Sequence, residues 1–204
     1  MPDGLTIVEL SEGLRRMAAS MESAYDELNT LDGDLGDGDL GVTMRRGMNA
    51  IREQIPNLPK DVGEALLKCA QMFTQTSGST LGTLIATGLL SASRATKGRI
   101  EIPWTEFPSL LQGAIEEMKR RGKGDLGDKT VLDALEAIRV SIAGLSEPGV
   151  MLDAAEQSVA SAVQRFRDQP SRQGRARILA ERSVGRDDPG MIAIQRLVES
   201  LRSG

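Results

Sequence analysis

The sequence predicts an all-α protein, an antiparallel bundle or barrel of eight helices that forms one domain over residues 1–204. Apolar residues recur at three- and four-residue spacing along most of the chain, which is the period of one helix face. The sequence lacks the sustained alternation of apolar and polar residues that marks a strand. The breaks between helical segments are short, which favours antiparallel neighbours, and we find no repeat or domain linker.

Four helices are predicted in the first half of the chain. Apolar residues over 14–28 indicate a first helix that stops at an aspartate-rich loop. The second helix begins near Gly41, and the prolines of segment 55–59 end it. Asp61, with Glu64 three residues later, has the spacing of a capping box and begins the third helix. A run of serine, threonine and glycine precedes the fourth.

Four more helices are predicted in the second half. Either Asp128 or Thr130 caps the sixth helix. Residues 168–190, the arginine-rich segment, are predicted to be mostly irregular, and a loop of this length is typically functional or disordered. Pro189 can occupy the first turn of the last helix. The fifth and seventh helices are indicated by apolar faces over residues 107–118 and 152–166.

Composition excludes several classes of function. Hydrophobic residues make up 40% of the chain but aromatic residues only 2%, so the predicted core is aliphatic. A net charge of −4 argues against nucleic acid as a partner. No apolar run is long enough for a membrane span, no signal peptide is visible, and the single cysteine suits a reducing compartment, so we expect a cytoplasmic protein. The chain has no histidine, which excludes histidine general-base chemistry.

The aspartate-rich loop, LDGDLGDGDLG at residues 31–41, indicates a metal site. Glycines let the backbone bend so that several carboxylates converge, and converging carboxylates need a cation. The spacing fits no EF-hand register, because glycine or threonine falls where calcium ligands are required. Magnesium, held by carboxylates and substrate phosphates, fits better, whereas the plainer alternative is a surface turn with capping aspartates. The four carboxylates are Asp32, Asp34, Asp37 and Asp39.

A second candidate site lies in TQTSGSTLGT. Small hydroxyl residues around a glycine at the start of a helix expose backbone N–H groups, and such a terminus binds phosphate. The more common interpretation is an ordinary serine or threonine N-cap. The segment is not a Walker sequence, because no Gly-Lys pair follows. The residues in question are Ser77, Gly78, Ser79 and Thr80.

Four segments together resemble the L subunit, or L domain, of dihydroxyacetone kinases. LDGDLGDGDLG is similar to that family's metal loop, TSGSTLGT to its phosphate loop, GDKTVLDAL to its third block, and GRARILAERSVGRDDPG to its nucleotide-lid segment. Their order and spacing agree with the family from about Leu10 to Leu201. The resemblance implies an eight-helix antiparallel barrel with a nucleotide site at one end.

The resemblance also implies roles for individual residues. Asp32, Asp37 and Asp39 are expected to hold two magnesium ions that bridge the nucleotide phosphates, whereas Asp34 is local charge. Arg182 is expected to pair with phosphate and to act as the catalytic residue. The other expected contacts of ATP or ADP are Ser77, Gly78, Ser79, Thr80, Gly127, Thr130, Val131, Asp188, Pro189 and Gly190.

The implied activity is transfer of the γ-phosphoryl group of magnesium-bound ATP to dihydroxyacetone, a tetrulose or a similar small ketose. Members of this size act with a separate K subunit that binds the ketose. One alternative is the phosphotransferase-system form, in which a phosphoprotein rephosphorylates a permanently bound ADP. The chain could instead be a regulatory subunit that binds nucleotide without turnover, and a fatty-acid kinase domain is a less favoured possibility. The sequence does not decide whether the chain forms a homodimer.

Overall fold

The computed structural model describes residues 3–202, and helices make up most of this part of the chain. Two three-residue strands, β1 (Gly4–Thr6) and β2 (Glu101–Pro103), form a small antiparallel pair in which Gly4 lies opposite Pro103. The helices are α1 (Ile7–Ser23), α2 (Tyr25–Leu35), α3 (Leu40–Gln54), α4 (Val62–Thr76), α5 (Thr80–Thr96), α6 (Phe107–Gly122), α7 (Val131–Ser141), α8 (Pro148–Arg167), α9 (Ala180–Ser183) and α10 (Pro189–Glu199).

The predicted all-α class is confirmed, but the described residues form ten helices rather than eight. Eight of them, α1, α3, α4, α5, α6, α7, α8 and α10, pack in this order around a closed ring, in which α10 contacts α1. The short helix α2 packs on α3 and α10, and α9 is a single turn within the arginine-rich segment. The ring encloses an aliphatic core, with Met21, Met44 and Val159 almost fully buried.

The first predicted helix is in fact two helices. Ala24, with ψ 1°, separates α1 from α2, although its N–H still donates to Ser20 O. Neither glycine nor proline marks this position, and Ala24 itself is buried. Because Met21 and Leu28 on either side are both fully buried, packing of the two faces sets the break, and local sequence does not signal it.

Side-chain caps fix several of the helix starts. Thr130 caps α7 in a capping box with Asp133, which decides between the two predicted caps. Asp61 caps α4 by accepting the Glu64 N–H at 2.8 Å. Pro189 occupies the first turn of α10, as predicted, immediately after its N-cap. No helix within residues 3–202 combines the length and apolar character required to cross a membrane.

Candidate functional site

A cavity of about 520 Å³ opens at one end of the helix ring. The α2–α3, α4–α5, α6–α7 and α8–α10 connections, or the helix ends beside them, supply its walls. These are alternate connections along the chain, which is the arrangement expected where successive ring helices run in opposite directions. The volume lies in the usual range for a site that binds a small organic molecule. The predicted site residues that line it are Asp32, Asp37, Asp39, Ser77, Gly78, Ser79, Thr80, Thr130, Val131, Asp188, Pro189 and Gly190.

Three of the four aspartates of the predicted loop converge at this cavity. The loop is shorter than predicted, because Asp32 and Asp34 lie in the last turn of α2 and only residues 36–39 separate α2 from α3. One carboxylate oxygen from each of Asp32, Asp37 and Asp39 lies within 4.8 Å of the others. Asp32 is held in place because its Oδ2 accepts the N–H groups of Asp39 and Leu40 at 2.9 and 3.3 Å. A Cβ on Gly36 would lie 2.4 Å from Asp32 Oδ1, so the absence of a side chain there lets the loop fold closely around the carboxylate.

The electrostatics of the three aspartates suit a cation. Burial raises the pKa of the Asp32 carboxyl above its ordinary value, and the nearby Asp37 carboxylate raises it further. A bound divalent ion would relieve that repulsion, and hard oxygen donors are what magnesium prefers. The three residues therefore fit a magnesium site. Asp34 lies outside the cluster and forms an ion pair with Arg186 of the arginine-rich segment.

The serine-glycine loop forms the N-terminus of α5 at the same cavity. Ser79 is the N-cap and accepts the Gly82 N–H at 3.0 Å, while Ser77 Oγ accepts the Ser79 N–H at 3.2 Å. Gly82 is required here, since a Cβ would lie 1.9 Å from Ser77 Oγ. The ordinary N-cap interpretation therefore applies to Ser79. The next N–H groups have no partner within the helix, and Thr80 and Leu81 face the cavity, as an anion site requires.

The opposite wall comes from the starts of α7 and α10. Thr130 and Val131 begin α7, and Asp188 caps α10 by accepting the Met191 N–H at 2.8 Å. Burial raises the pKa of Asp188 to about 7. Val131 and Leu132 add apolar surface to this wall. Such surface suits a base or sugar better than a phosphate.

Two predicted residues do not line the cavity. Gly127 lies in the α6–α7 connection with φ +93°, and its N–H donates to Asp133 Oδ1 at 2.6 Å. Arg182 is exposed on α9. Arg175 faces the cavity instead, with its Nη1 2.6 Å from Asp37 Oδ2. Its role as the cavity arginine is not signalled by the sequence, because the segment carries five arginines with similar surroundings.

Two further lining residues could have been identified from the sequence. Thr43 and Arg46 lie four and seven positions after Asp39. Residues with this spacing occupy one face of a helix, and α3 begins immediately after Asp39. Both contribute to the cavity wall. The helical pattern therefore extends the aspartate loop into α3 and adds a cationic side chain to its surroundings.

The chain matches one known domain family and is similar to named proteins of bacteria and mammals. Residues 34–203 match the model of the DAK2 domain. The chain is 34% identical over 188 residues to the Escherichia coli K12 protein named PEP-dependent dihydroxyacetone kinase, ADP-binding subunit DhaL, covering 89% of this chain and 88% of that one. It is 27% identical over 194 residues to human triokinase/FMN cyclase, covering 92% of this chain but 33% of the human protein.

A solved structure shares the fold. The dihydroxyacetone kinase of C. freundii in complex with AMP-PNP and Mg²⁺ aligns with a TM-score of 0.74 at 22% identity, covering 94% of this chain and 33% of that one. The chain therefore spans about a third of the length of this kinase and of the human relative, but most of the bacterial subunit.

Proposed function

Because the chain belongs to the DAK2 domain family, of the DhaL type, we propose that it is the nucleotide-binding subunit of a dihydroxyacetone-kinase-type enzyme. It transfers the γ-phosphoryl group of ATP to a small ketose, such as dihydroxyacetone or a tetrulose, held by a separate K-type subunit. The observation that carries this proposal is the meeting of three carboxylates and a helix N-terminus in one cavity.

The phosphates and the metal ions of this reaction need opposite kinds of contact. The N-terminus of α5, with Ser77 to Thr80, offers N–H and hydroxyl donors to phosphate oxygens. Asp32, Asp37 and Asp39 offer only acceptors, which repel phosphate unless a cation lies between them. We propose that two magnesium ions bind here, and when bound they would neutralise that charge. The chain itself therefore binds and orients the nucleotide.

Arginine supplies further positive charge. Arg175 lies at the cavity beside Asp37, and this position favours it as a residue that contacts the nucleotide phosphates, the transferring one included. Such a contact stabilises the charge spread over the phosphoryl oxygens during transfer. Arg182, which lies outside the cavity, stays a prediction. Thr130, Val131 and Asp188 to Gly190 are proposed to hold the nucleoside.

The proposed partner follows from the bacterial relative. That relative is named as the ADP-binding subunit of a kinase, and the two chains cover each other almost fully. We therefore propose that the ketose and the general base belong to a K-type subunit that docks at the open cavity. This scheme does not depend on whether the chain forms a homodimer or on whether a phosphoprotein is the phosphate donor.

The test is a reconstituted kinase assay with the chain, a K-type subunit, ATP, magnesium and a panel of small ketoses. Asp37→Ala is expected to lower turnover by at least about 100-fold, since metal contacts are worth several kcal/mol. Asp34→Asn is the matched control, because Asp34 lies two residues from Asp32 but outside the cluster, and its side chain forms an exposed ion pair with Arg186. We expect less than about a twofold effect from it. Equal turnover of Asp37→Ala and wild type would contradict the metal assignment.

A second candidate is the form that keeps ADP as a cofactor. The name of the E. coli relative, a PEP-dependent kinase with an ADP-binding subunit, favours it. In that form ADP stays bound through purification, and a phosphoprotein rephosphorylates it in place. Rapid exchange of bound ADP for labelled ATP would favour direct use of ATP instead. Nucleotide binding without transfer to any ketose, with every K-type subunit tried, would indicate a regulatory subunit.

A further inference from the structure

Lys129 is buried beside the cavity without lining it. Only 1% of its surface is exposed, although it is a lysine. Its backbone is left-handed with φ +61°, an unfavourable conformation for a residue with a Cβ, and it immediately precedes Thr130, the cap of α7. A buried ammonium needs several polar partners to offset its lost hydration. Because Lys129 does not line the cavity, contact with a bound nucleotide does not account for its burial.

The Lys129 ammonium donates three hydrogen bonds to backbone carbonyls. Its Nζ lies 2.9 Å from Arg167 O, 2.8 Å from Gln169 O and 2.7 Å from Ser183 O. The first two carbonyls belong to the end of α8 and the turn after it, and the third ends α9. One side chain therefore fastens both ends of the stretch between α8 and α9.

Charge around Lys129 supports the same arrangement. Burial lowers the pKa of the Lys129 ammonium, while the carboxylates of Asp188, Asp187 and Asp168 oppose that shift. All three carboxylates belong to the arginine-rich segment. The segment thus supplies two of the three carbonyl oxygens around the ammonium, together with negative charge.

Other bonds join the base of the arginine-rich segment, but its tip is exposed. Ser171 N donates to Ser183 Oγ at 2.7 Å, linking the two ends of the same stretch. Between them, Ile178 is 79% exposed, and Arg175 forms an ion pair with Asp37. The Arg172 N–H donates to Asp128 O at 3.0 Å and Gln173 Nε2 donates to Lys123 O at 2.6 Å, so two further bonds join this stretch to the α6–α7 connection. The base is therefore fastened by buried bonds, whereas the bonds nearer Arg175 are few and exposed, so the orientation of the tip depends in large part on how the base is held.

We propose that Lys129 is a positioning residue for the nucleotide site. Its ammonium holds the base of the arginine-rich segment so that Arg175 reaches Asp37 of the aspartate cluster at the cavity. The inference rests on the proposed nucleotide-binding function and extends it to a residue that does not touch the cavity. Loss of the ammonium would release the segment and lower the fraction of molecules with a complete site.

The test compares the wild-type full chain with Lys129→Met, which keeps most of the apolar stem and removes the three donors. Trypsin cuts after arginine, so its rate of cleavage within residues 168–190 reports release of the segment without any nucleotide. We expect that rate to rise, and we expect the Kd for ADP, measured calorimetrically with magnesium, to rise about tenfold if one molecule in ten keeps a complete site.

Ser93→Ala is the matched control. Ser93 is 6% exposed and donates to Gly63 O at 2.7 Å, so this variant also removes a buried hydrogen bond to a carbonyl. Ser93 lies thirteen residues from the start of α5, about 20 Å along the helix from the site. General destabilisation would act in both variants, whereas a positioning role weakens ADP binding only in Lys129→Met.

The outcomes separate the two proposals. A wild-type chain that fails to bind ADP overturns the proposed function, and the trypsin result still judges whether Lys129 holds the segment. A folded Lys129→Met with wild-type ADP affinity and wild-type cleavage overturns the positioning role alone. If Lys129→Met does not fold, Lys129→Gln, which keeps one donor group, must show the same two changes in smaller measure, and unchanged values there overturn the inference.

Discussion

Asp188→Asn should remove most of the pH dependence of stability between pH 5 and pH 8. The chain has no histidine, so few side chains other than buried carboxyls titrate in this window. Burial raises the pKa of Asp188 from 3.8 to about 7. Asparagine caps a helix about as well as aspartate, so the substitution keeps the bond to Met191 while removing the charge.

The direction in which stability changes with pH follows from the raised pKa of Asp188. Between pH 3.8 and 7 the folded chain binds the Asp188 proton more tightly than the unfolded chain does, so the free energy of unfolding falls as pH rises. The contribution is complete below the unfolded pKa and is lost as pH rises through 7. Two pH units, from 5 to 7, at about 1.4 kcal/mol per unit, give a decrease of at most about 3 kcal/mol.

Urea unfolding, followed by circular dichroism at pH 5, 6, 7 and 8, measures this slope in both chains. Burial also raises the pKa of Asp32 and Asp133, so the comparison with Asp188→Asn isolates the share due to Asp188. Wild-type stability is expected to fall across the window, and the variant is expected to change much less. An identical slope in the two chains would refute the assignment of a raised pKa to Asp188.

Three further predictions concern the cavity. Arg175→Gln should weaken ADP binding about tenfold, because a charge-assisted contact is worth at least about 1.5 kcal/mol, and Arg182→Gln should weaken it less; equal calorimetric affinities would contradict the choice of Arg175. Gly36→Ala should weaken the binding of manganese, used as a spectroscopic substitute for magnesium, because the alanine Cβ would lie 2.4 Å from Asp32 Oδ1. An unchanged manganese titration would contradict this expectation and show that the loop adapts. Ser79→Ala should lower the free energy of unfolding by about 1 kcal/mol through loss of the N-cap, and it should also weaken ADP binding. A loss of stability without weaker ADP binding would argue against a role for Ser79 in binding phosphate.

Features set by nearby residues could be predicted from the sequence. Thr130 and Pro189 identify helix starts because capping and proline geometry depend on a few adjacent positions. The glycine-rich aspartate segment likewise predicted that its carboxylates converge, but the choice of Asp32, Asp37 and Asp39 over Asp34 came from the family resemblance.

Features set by distant partners could not be predicted. The break at Ala24 depends on which faces of α1 and α2 meet the core, and the local sequence suits a continuous helix. The choice between Arg175 and Arg182 depends on the path of a long irregular segment over the cavity. Lys129 resembles an ordinary surface residue in the sequence, and only the three-dimensional arrangement surrounds it with carbonyls.

Closure of the helix ring has a consequence for how the protein folds. Neighbours around the ring are close in sequence, except that α1 meets α10, where Ser20 Oγ donates to Arg196 O at 3.0 Å. Contacts between sequence neighbours form quickly, whereas this pair must close a loop of most of the chain. The cavity needs residues from both α2 and α10. The ability to bind ligand is therefore expected to be the last property gained during refolding, after most of the helical signal has recovered.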